Sequence, residues 1–348
     1  MNKQMKATQK NNELVDMFSR TISYLRLSLT DRCNLRCIYC MPEDREEGLK
    51  ILQHSDLLTY EELLRVIKVV VDMGMNKLRL TGGEPLVRRG VMDFITALSK
   101  IQGLEEIRLT TNGVLLKEKA VGLFEAGIRK LNISLDTMRP ERFKEITGAD
   151  LFEQVWDGIE TAVKLGFEIK LNVVAMKGIN DDEFTDFARL ALKKPYQVRF
   201  IEFMPVGKNS TWDKRYYISS TELKEMIGTV GTLEALPGCR MDGPAKVYSL
   251  TAADGSTGRI GFISPISHHF CDTCNRLRLT SAGTLRACLL HDHEADLKAL
   301  LRSGGSDKEV RALIKQTILD KPKGHTLAED LKTPDQAHCQ GQMSRIGG

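Results

Sequence analysis

No stretch of the 348-residue sequence stays apolar long enough to cross a bilayer, and the opening MNKQMKATQKNNELVDMF holds no apolar run of signal-peptide length. A membrane partner and export are therefore not expected, and the chain reads as cytoplasmic. Repeats and low-complexity tracts are missing as well. An excess of either charge is missing: 50 Lys and Arg against 46 Asp and Glu leave a net charge of +4, too small to imply a nucleic-acid footprint. No stripe interleaves aromatic with basic residues, which argues against an RNA-binding surface. What is present, 42% hydrophobic and 28% charged residues, can bury a sizeable core, and the length points to one large α/β unit with an appendage. Eight cysteines in a reducing compartment are not expected to form a disulfide framework, so metal binding or catalysis is the better use for them.

From Tyr24 to about Pro205, β-rich runs (YLRLSL, NKLRLT, EEIRLTT, KLNISLD, IKLNVVAM, QVRFIEFM) alternate with segments whose apolar residues recur at helical spacing. One helix opens on a Thr59–Glu62 capping box and closes at Gly74, with Leu63, Leu64, Ile67, Val70 and Val71 on one face. A later helix carrying Phe184, Phe187, Ala188 and Ala191 is expected to start on the same arrangement at Asn180 and Glu183. Six such units predict a parallel sheet covered by helices. They are fewer than the eight that close a full barrel, so the expected fold class is α/β, an incomplete (β/α)6 TIM-like barrel open on one side. After Pro205 the pattern changes to a hairpin with Asp254-Gly255 in its turn, a cysteine-bearing segment and two amphipathic helices from about Ala295 to Lys321. The last residues, HTLAEDLKTPDQAHCQGQMSRIGG, are polar and irregular unless they meet a partner surface.

Two sets of three cysteines stand out. Cys33, Cys37 and Cys40 follow the first strand, at the strand end where barrels build active sites. A structural zinc would need a fourth ligand, and His54 lies fourteen residues past Cys40; a 4Fe–4S cluster on three thiolates would instead keep one iron open. Spacing alone leaves both readings standing. In the second set, Cys271, Cys274 and Cys288, zinc is favoured by spacing because His291 could complete a Cys3His site. Against that stands NRLRL, which puts Arg276 and Arg278 on one strand face beside the metal. The same alternation of cation with apolar residue recurs at Arg26, at Lys77 and Arg79, at Lys170 and at Arg199. A parallel sheet covered on both faces should be apolar on both, and unpaired buried cations are costly. Strand-end exposure or carboxylates such as Glu202 would account for any one of them. Cations on four strands plus the arginine pair point to a polyanionic ligand, which a triphosphate fits.

The Cys-x3-Cys-x2-Cys spacing with Tyr39, followed after the next strand by GGEP (Gly82–Pro85), resembles the radical S-adenosylmethionine (SAM) enzymes. Together with LTTNG, NISLD, RFIEFMPVG, FCDTCNRLRL and the terminal Gly-Gly, the chain from about Arg20 to Gly348 resembles the GTP 3′,8-cyclase family of molybdenum cofactor biosynthesis. Departures are small: Ser19 precedes Arg20 where the family commonly has glycine, Ala282 stands where Asp is usual, and residues 1–19 form a polar extension without an evident role.

The resemblance implies two 4Fe–4S clusters, one on Cys33, Cys37 and Cys40 that chelates SAM, the other on Cys271, Cys274 and Cys288 that binds the guanine of GTP. It implies a SAM site at Tyr39, Gly83, Ser134 and Met204, with the flat backbone of Gly82 and Gly83 admitting the methionine amine. It implies that Arg26, Arg79, Thr110, Lys170, Arg276 and Arg278 bind GTP, helped by Lys77 and Arg199. By the same resemblance the reaction is a lyase-class cyclisation started by a 5′-deoxyadenosyl radical at the ribose 3′ carbon. The tail at Gly347 and Gly348 would reach the active site alongside Arg276 and Arg278. The expected organisation is a radical SAM partial barrel over 20–215, a second-cluster domain over 216–340 and a tail over 341–348. Implied partners are a cytosolic electron donor such as flavodoxin or ferredoxin and a downstream cyclic pyranopterin monophosphate synthase, with room for a homodimer. Cys239 and Cys339 have no partner motif and read as plain thiols. Two alternatives are a two-cluster radical enzyme acting on a peptide, which would need no triphosphate clamp, and a non-enzymatic zinc-containing RNA-binding protein.

Overall fold

A computed structural model describes residues 14–40, 51–207, 212–238, 243–325 and 339–347. The first half alternates strand and helix: β1 (Tyr24–Ser28), α1 (Tyr60–Asp72), β2 (Lys77–Thr81), α2 (Val91–Leu98), β3 (Glu106–Thr111), α3 (Leu116–Glu125), β4 (Lys130–Ser134), α4 (Pro140–Thr147), α5 (Phe152–Lys164), β5 (Glu168–Ala175), α6 (Phe184–Lys193) and β6 (Tyr196–Glu202). Then follow α7 (Ser220–Gly228), β7 (Thr232–Ala235), β8 (Lys246–Thr251), β9 (Thr257–Ile263), β10 (Arg276–Leu279), β11 (Thr284–Arg286), β12 (Ala295–Asp296), α8 (Leu297–Arg302), α9 (Asp307–Leu319) and α10 (Met343–Ile346). All six expected β-rich runs are strands, and the hairpin with Asp254 and Gly255 in its turn is β8–β9.

The strands make one sheet in the order β12-β11-β10-β1-β2-β3-β4-β5-β6-β9-β8-β7. Pairing is parallel from β10 through β6 to β9 and antiparallel at both ends. Strands from the second half of the chain thus extend the sheet on both sides of the six strands from the first half. Among the described residues, no helix is long and apolar enough to cross a membrane.

The alternation of residues along each strand explains the sheet's two faces. Leu25, Leu27, Leu78, Leu80, Leu109, Leu131, Ile133, Ile169, Leu171, Val198 and Phe200 belong to one continuous buried core with apolar residues of the covering helices. The intervening positions carry Arg, Lys, Thr, Asn and Ser, and the register aligns them. Arg278, Arg26, Arg79 and Arg108 are successive neighbours across β10-β1-β2-β3, and Thr110, Asn132, Lys170 and Gln197 run across β3-β4-β5-β6. The rule of two apolar faces thus does not hold for this sheet: one face is apolar beneath the helices, the other is polar and bounds a cavity.

Local signals set the helix starts unequally well. Thr59 Oγ1 accepts from the Glu62 N–H (3.2 Å) and the Glu62 carboxylate accepts from the Thr59 N–H (2.7 Å), closing the expected box. The box expected at Asn180 and Glu183 does not form. Asn180 instead donates to the Asp136 and Val174 carbonyls (2.7 and 2.9 Å), while Glu183 accepts from Thr137 Oγ1 and the Met138 N–H (2.6 and 2.8 Å). Here tertiary partners outbid the local cap. Ser19 has φ +62°, the left-handed region that glycine occupies freely, which gives a physical reason why glycine suits the position.

Candidate active site

The first cysteine loop leaves β1 and lies directly on the turn that follows β2. The Gly83 N–H donates to the Thr30 carbonyl (2.7 Å) and the Glu84 N–H to the Arg32 carbonyl (2.8 Å). A Cβ at Gly83 would overlap the Arg32 carbonyl, and one at Gly82 the Thr30 carbonyl. Both glycines therefore have a reason within the protein itself, the close approach of two backbones. Glu84 ties in the third loop: fully buried, it accepts from the Leu86 and Asn112 N–H groups (3.0 and 2.7 Å) and from Thr111 Oγ1 (2.9 Å). Burial pushes its pKa up to about 7 despite these bonds. Asn112, so positioned, donates to Cys33 Sγ at 3.6 Å.

Burial raises all three thiols of this loop, Cys40 to about 12; Cys37 is raised further by Asp136, Cys40 and Cys33, and Cys40 by Cys33 and Asp136. Thiols so placed stay protonated until a metal displaces the proton, so binding of a thiophilic centre is coupled to proton release. The Tyr39 hydroxyl donates to Asp136 (2.7 Å), whose pKa burial raises to about 6.

The second set has a different electrostatic setting. Burial also raises Cys271. Burial alone would raise Cys274, but Arg276 and Lys321 bring it down to about 6. Lys321 is itself buried and donates to the Arg276 carbonyl at 2.9 Å and to the Ala287 carbonyl. Arg20, whose Nε pairs with Asp16 at 2.5 Å, donates to the carbonyls of Cys271, Pro322 and Lys323 (2.8, 2.6 and 3.0 Å). The segment just before β1 thereby braces the second cysteine loop.

Both cysteine sets open onto one cavity of about 310 Å³. Tyr39, Gly83 and Ser134 line it on the side of the first set, Arg276 and Arg278 on the side of the second, and Arg26, Arg79, Thr110 and Arg199 between them; Met204 lines it too, packed on the apolar cluster that also carries Cys288 and Leu289. Lys77 and Lys170 do not line it: they turn to Glu106 (3.2 Å) and Glu168 (3.0 Å). These carboxylates, and not Glu202, are the ion-pair partners. Glu202 accepts from the Ser220, Ile266 and Ser267 N–H groups (2.9, 2.9 and 3.0 Å) and holds the segment before Cys271. Burial together with neighbouring arginines lowers Arg26 well below its usual range and Arg278 to about 10; burial and Arg199 lower Lys170 to about 8. So many cations at one surface favour an anionic guest.

The tail comes to the same place. The Gly347 carbonyl accepts from Arg278, and a Cβ at Gly347 (φ +72°) would overlap the Thr81 side chain at the end of β2. Gly348 and Cys239 lie outside the described residues. Arg108 is absent from the sequence-derived set although it alternates with Ile107 and Leu109 just as the others do, and it is buried in line with Arg79. Tyr24 was missed too: its hydroxyl accepts from Arg79 Nε, an aromatic in a row of cations that alternation could have flagged.

Residues 27–191 match the Radical SAM superfamily and residues 196–327 match the family Molybdenum Cofactor Synthesis C. GTP 3′,8-cyclase from Thermodesulfovibrio yellowstonii is 49% identical over 336 residues, covering 96% of this chain and 99% of its own length. GTP 3′,8-cyclase from Heliobacterium modesticaldum is 46% identical over 337 residues, 96% of this chain and 100% of the relative. Among solved structures, Streptococcus suis SuiB bound to S-adenosylmethionine superposes with a TM-score of 0.60 at 14% identity, over 93% of this chain and 77% of that one, a likeness of fold. With relatives this similar along nearly their whole length, the chain belongs to the GTP 3′,8-cyclase family of the radical SAM superfamily.

Proposed function

We propose that this protein converts GTP to 3′,8-cyclo-7,8-dihydro-GTP in molybdenum cofactor biosynthesis, with SAM and two 4Fe–4S clusters as cofactors. The observation that carries the reading is the single cavity faced by two three-cysteine loops with a layer of guanidinium groups between them. The thiols suit iron–sulfur chemistry: each set is three soft donors close enough to shift one another's protonation. In this reading Cys33, Cys37 and Cys40 hold the cluster that chelates SAM, with Tyr39, Gly83, Ser134 and Met204 around the cofactor. Cys271, Cys274 and Cys288 hold the cluster that receives guanine. When bound, the first cluster and SAM supply a 5′-deoxyadenosyl radical.

The chain's own residues then do three things. Arg26, Arg79, Arg199, Arg276 and Arg278, with Thr110, take the triphosphate and fix the ribose between the two loops. Lys77 and Lys170 lend charge from behind while Glu106 and Glu168 hold them in place. Gly347, its carbonyl on Arg278, closes the cavity there and keeps water from the reacting carbon. Residues 20–215 thus hold SAM and, through Arg26, Arg79, Thr110 and Arg199, part of the nucleotide; 216–340 add the second cysteine set with Arg276 and Arg278, and the tail completes the site. A cytosolic donor such as flavodoxin or ferredoxin would supply the electron, and cyclic pyranopterin monophosphate synthase would consume the product.

The test is anaerobic reconstitution with iron and sulfide, followed by incubation with GTP, SAM and a strong reductant. Two clusters per chain and a cyclised nucleotide formed with 5′-deoxyadenosine are expected. Iron uptake by the first triad alone, or 5′-deoxyadenosine without any GTP-derived product, would refute the reading.

A further inference from the structure

Arg286 is 1% exposed, on β11 directly across from Arg278 of β10. Its guanidinium pairs with Glu294 (2.6 Å) and Asp292 (3.1 Å) and donates to the carbonyls of His291 (2.6 Å) and Leu289 (3.3 Å). Support of the loop around Cys288 would account for those bonds. It does not account for Asp292, whose carboxylate accepts from the backbone N–H groups of Gln340 (2.8 Å) and Gly341 (3.2 Å), nearly fifty residues away in the tail. Arg286 also donates to Cys339 Sγ (3.5 Å), and the Gly207 N–H to the Cys339 carbonyl (2.9 Å). The fit is tight: a Cβ on Gly341 would come within 2.6 Å of Arg286 Nη1. From this anchor the chain enters α10, where Ser344 and Ile346 are buried and the Arg345 carbonyl accepts from the Ser281 N–H (3.0 Å), and ends with the Gly347 carbonyl on Arg278.

We propose that Asp292, held by Arg286, is a positioning residue: it clasps the backbone at Gln340 and Gly341 and so delivers Gly347 to Arg278. A carboxylate accepting two amides forms charge-assisted bonds, stronger than neutral ones, where the tail first meets the second cysteine loop, beside the Cys339 Sγ contact to the Leu289 carbonyl (3.2 Å). The arrangement of that loop therefore decides where the tail ends. The reach of the clasp is a property of the chain itself; only its effect on turnover rests on the function proposed above.

The experiment compares the reconstituted full-length wild type with Asp292→Ala, Asp292→Glu and Gly341→Val. The last crowds the tail against Arg286 while leaving Asp292 and every residue of the cysteine loop unchanged in sequence. Amide hydrogen exchange over 339–347, iron per chain, kcat and KM for GTP, and 5′-deoxyadenosine released per cyclised product are measured. In Asp292→Ala and Gly341→Val, exchange over 340–347 should rise roughly tenfold or more, as loss of one or two amide bonds implies. Iron should stay at the wild-type level. kcat should fall by up to ~10²-fold, the cost of misplacing a group by about 1 Å, with KM little changed and more 5′-deoxyadenosine released per product. Asp292→Glu, which keeps both acceptor oxygens, should recover part of the loss. Unchanged exchange in both clasp variants overturns the proposal, whatever the substrate proves to be. So does raised exchange with wild-type kcat and product ratio, or iron loss in Asp292→Ala while Gly341→Val behaves as wild type.

Discussion

Replacing Glu106 by Gln removes one charge from the base of the cation layer and leaves its shape. The Glu106 carboxylate stands 3.2 Å from Lys77, 2.8 Å from Arg108 and 2.9 Å from Lys130. Burial would raise its pKa, yet Arg108, Lys130 and Lys77 bring it from 4.5 down to about 2. At 1.36 kcal/mol per unit, that displacement is ~3 kcal/mol of native-state stabilisation. Water reaches the Glu106 side chain, which is 21% exposed while Lys77 and Arg108 are each 3% exposed, so screening reduces the figure to about 2 kcal/mol. For a chain of this size that is a fall in Tm of roughly 3 °C. The sign with pH follows from the lowered pKa. The stabilisation is fully present above pH about 4.5 and is lost as pH falls toward about 2, so Glu106→Gln should lie below wild type near neutrality and converge with it in acid. The same substitution unmasks cations, so GTP should raise the Tm of the variant by more than it raises that of the wild type. Differential scanning fluorimetry with and without GTP, at pH 7 and under acid, reads both effects. Equal Tm values at pH 7 would refute the ion-pair argument, and an equal shift on adding GTP would refute the idea that Glu106 neutralises a phosphate-binding layer.

Cys37→Ser should abolish 5′-deoxyadenosine formation while the iron of the second site, read by chemical analysis and absorption, persists; continued SAM cleavage would remove the first triad from its assigned role. Arg276→Ala should weaken GTP binding about 10- to 100-fold in calorimetry, the range for a charge-assisted contact worth ~1.5–3 kcal/mol, with wild-type affinity counting against the clamp. Ser19→Gly relieves a left-handed backbone at φ +62° and should stabilise by ~1 kcal/mol in urea unfolding, and a loss of stability there would mean that the Ser19 side chain matters more than its backbone.

What was legible in the sequence is what repeats locally. Leu and Ile alternating with polar residues marked β1 to β6, and Thr59 with Glu62 marked the start of α1, because those signals are satisfied within a few residues. Cations between leucines were also visible and pointed to a polyanionic ligand, but their alignment was not: it depends on register, which places Arg278 beside Arg26 and Arg79 only once β10 has docked on β1. Arg108 escaped because a single Arg beside Glu106 reads as an ordinary surface pair. Asn180 and Glu183 misled because their partners, Asp136 and Thr137, come from another loop. Arg286 and Asp292 escaped for a similar reason: their partners in the tail carry no motif, only backbone N–H groups.

The strand pairing has a consequence for synthesis on the ribosome. β1 pairs with β2 early, but its other neighbour, β10, emerges about 250 residues later. At 5–20 residues per second this leaves one side of β1 without a partner for roughly 10–50 s. For that interval Tyr24 to Ser28 form a sheet edge with free backbone groups, the kind of edge that recruits stray strands. In the same interval the first cysteine loop stands without Cys271, Cys274 and Cys288, which share its cavity only in the finished sheet. The two cysteine sets of a nascent chain therefore come into place in sequence, the first before the sheet is complete and the second only as it closes.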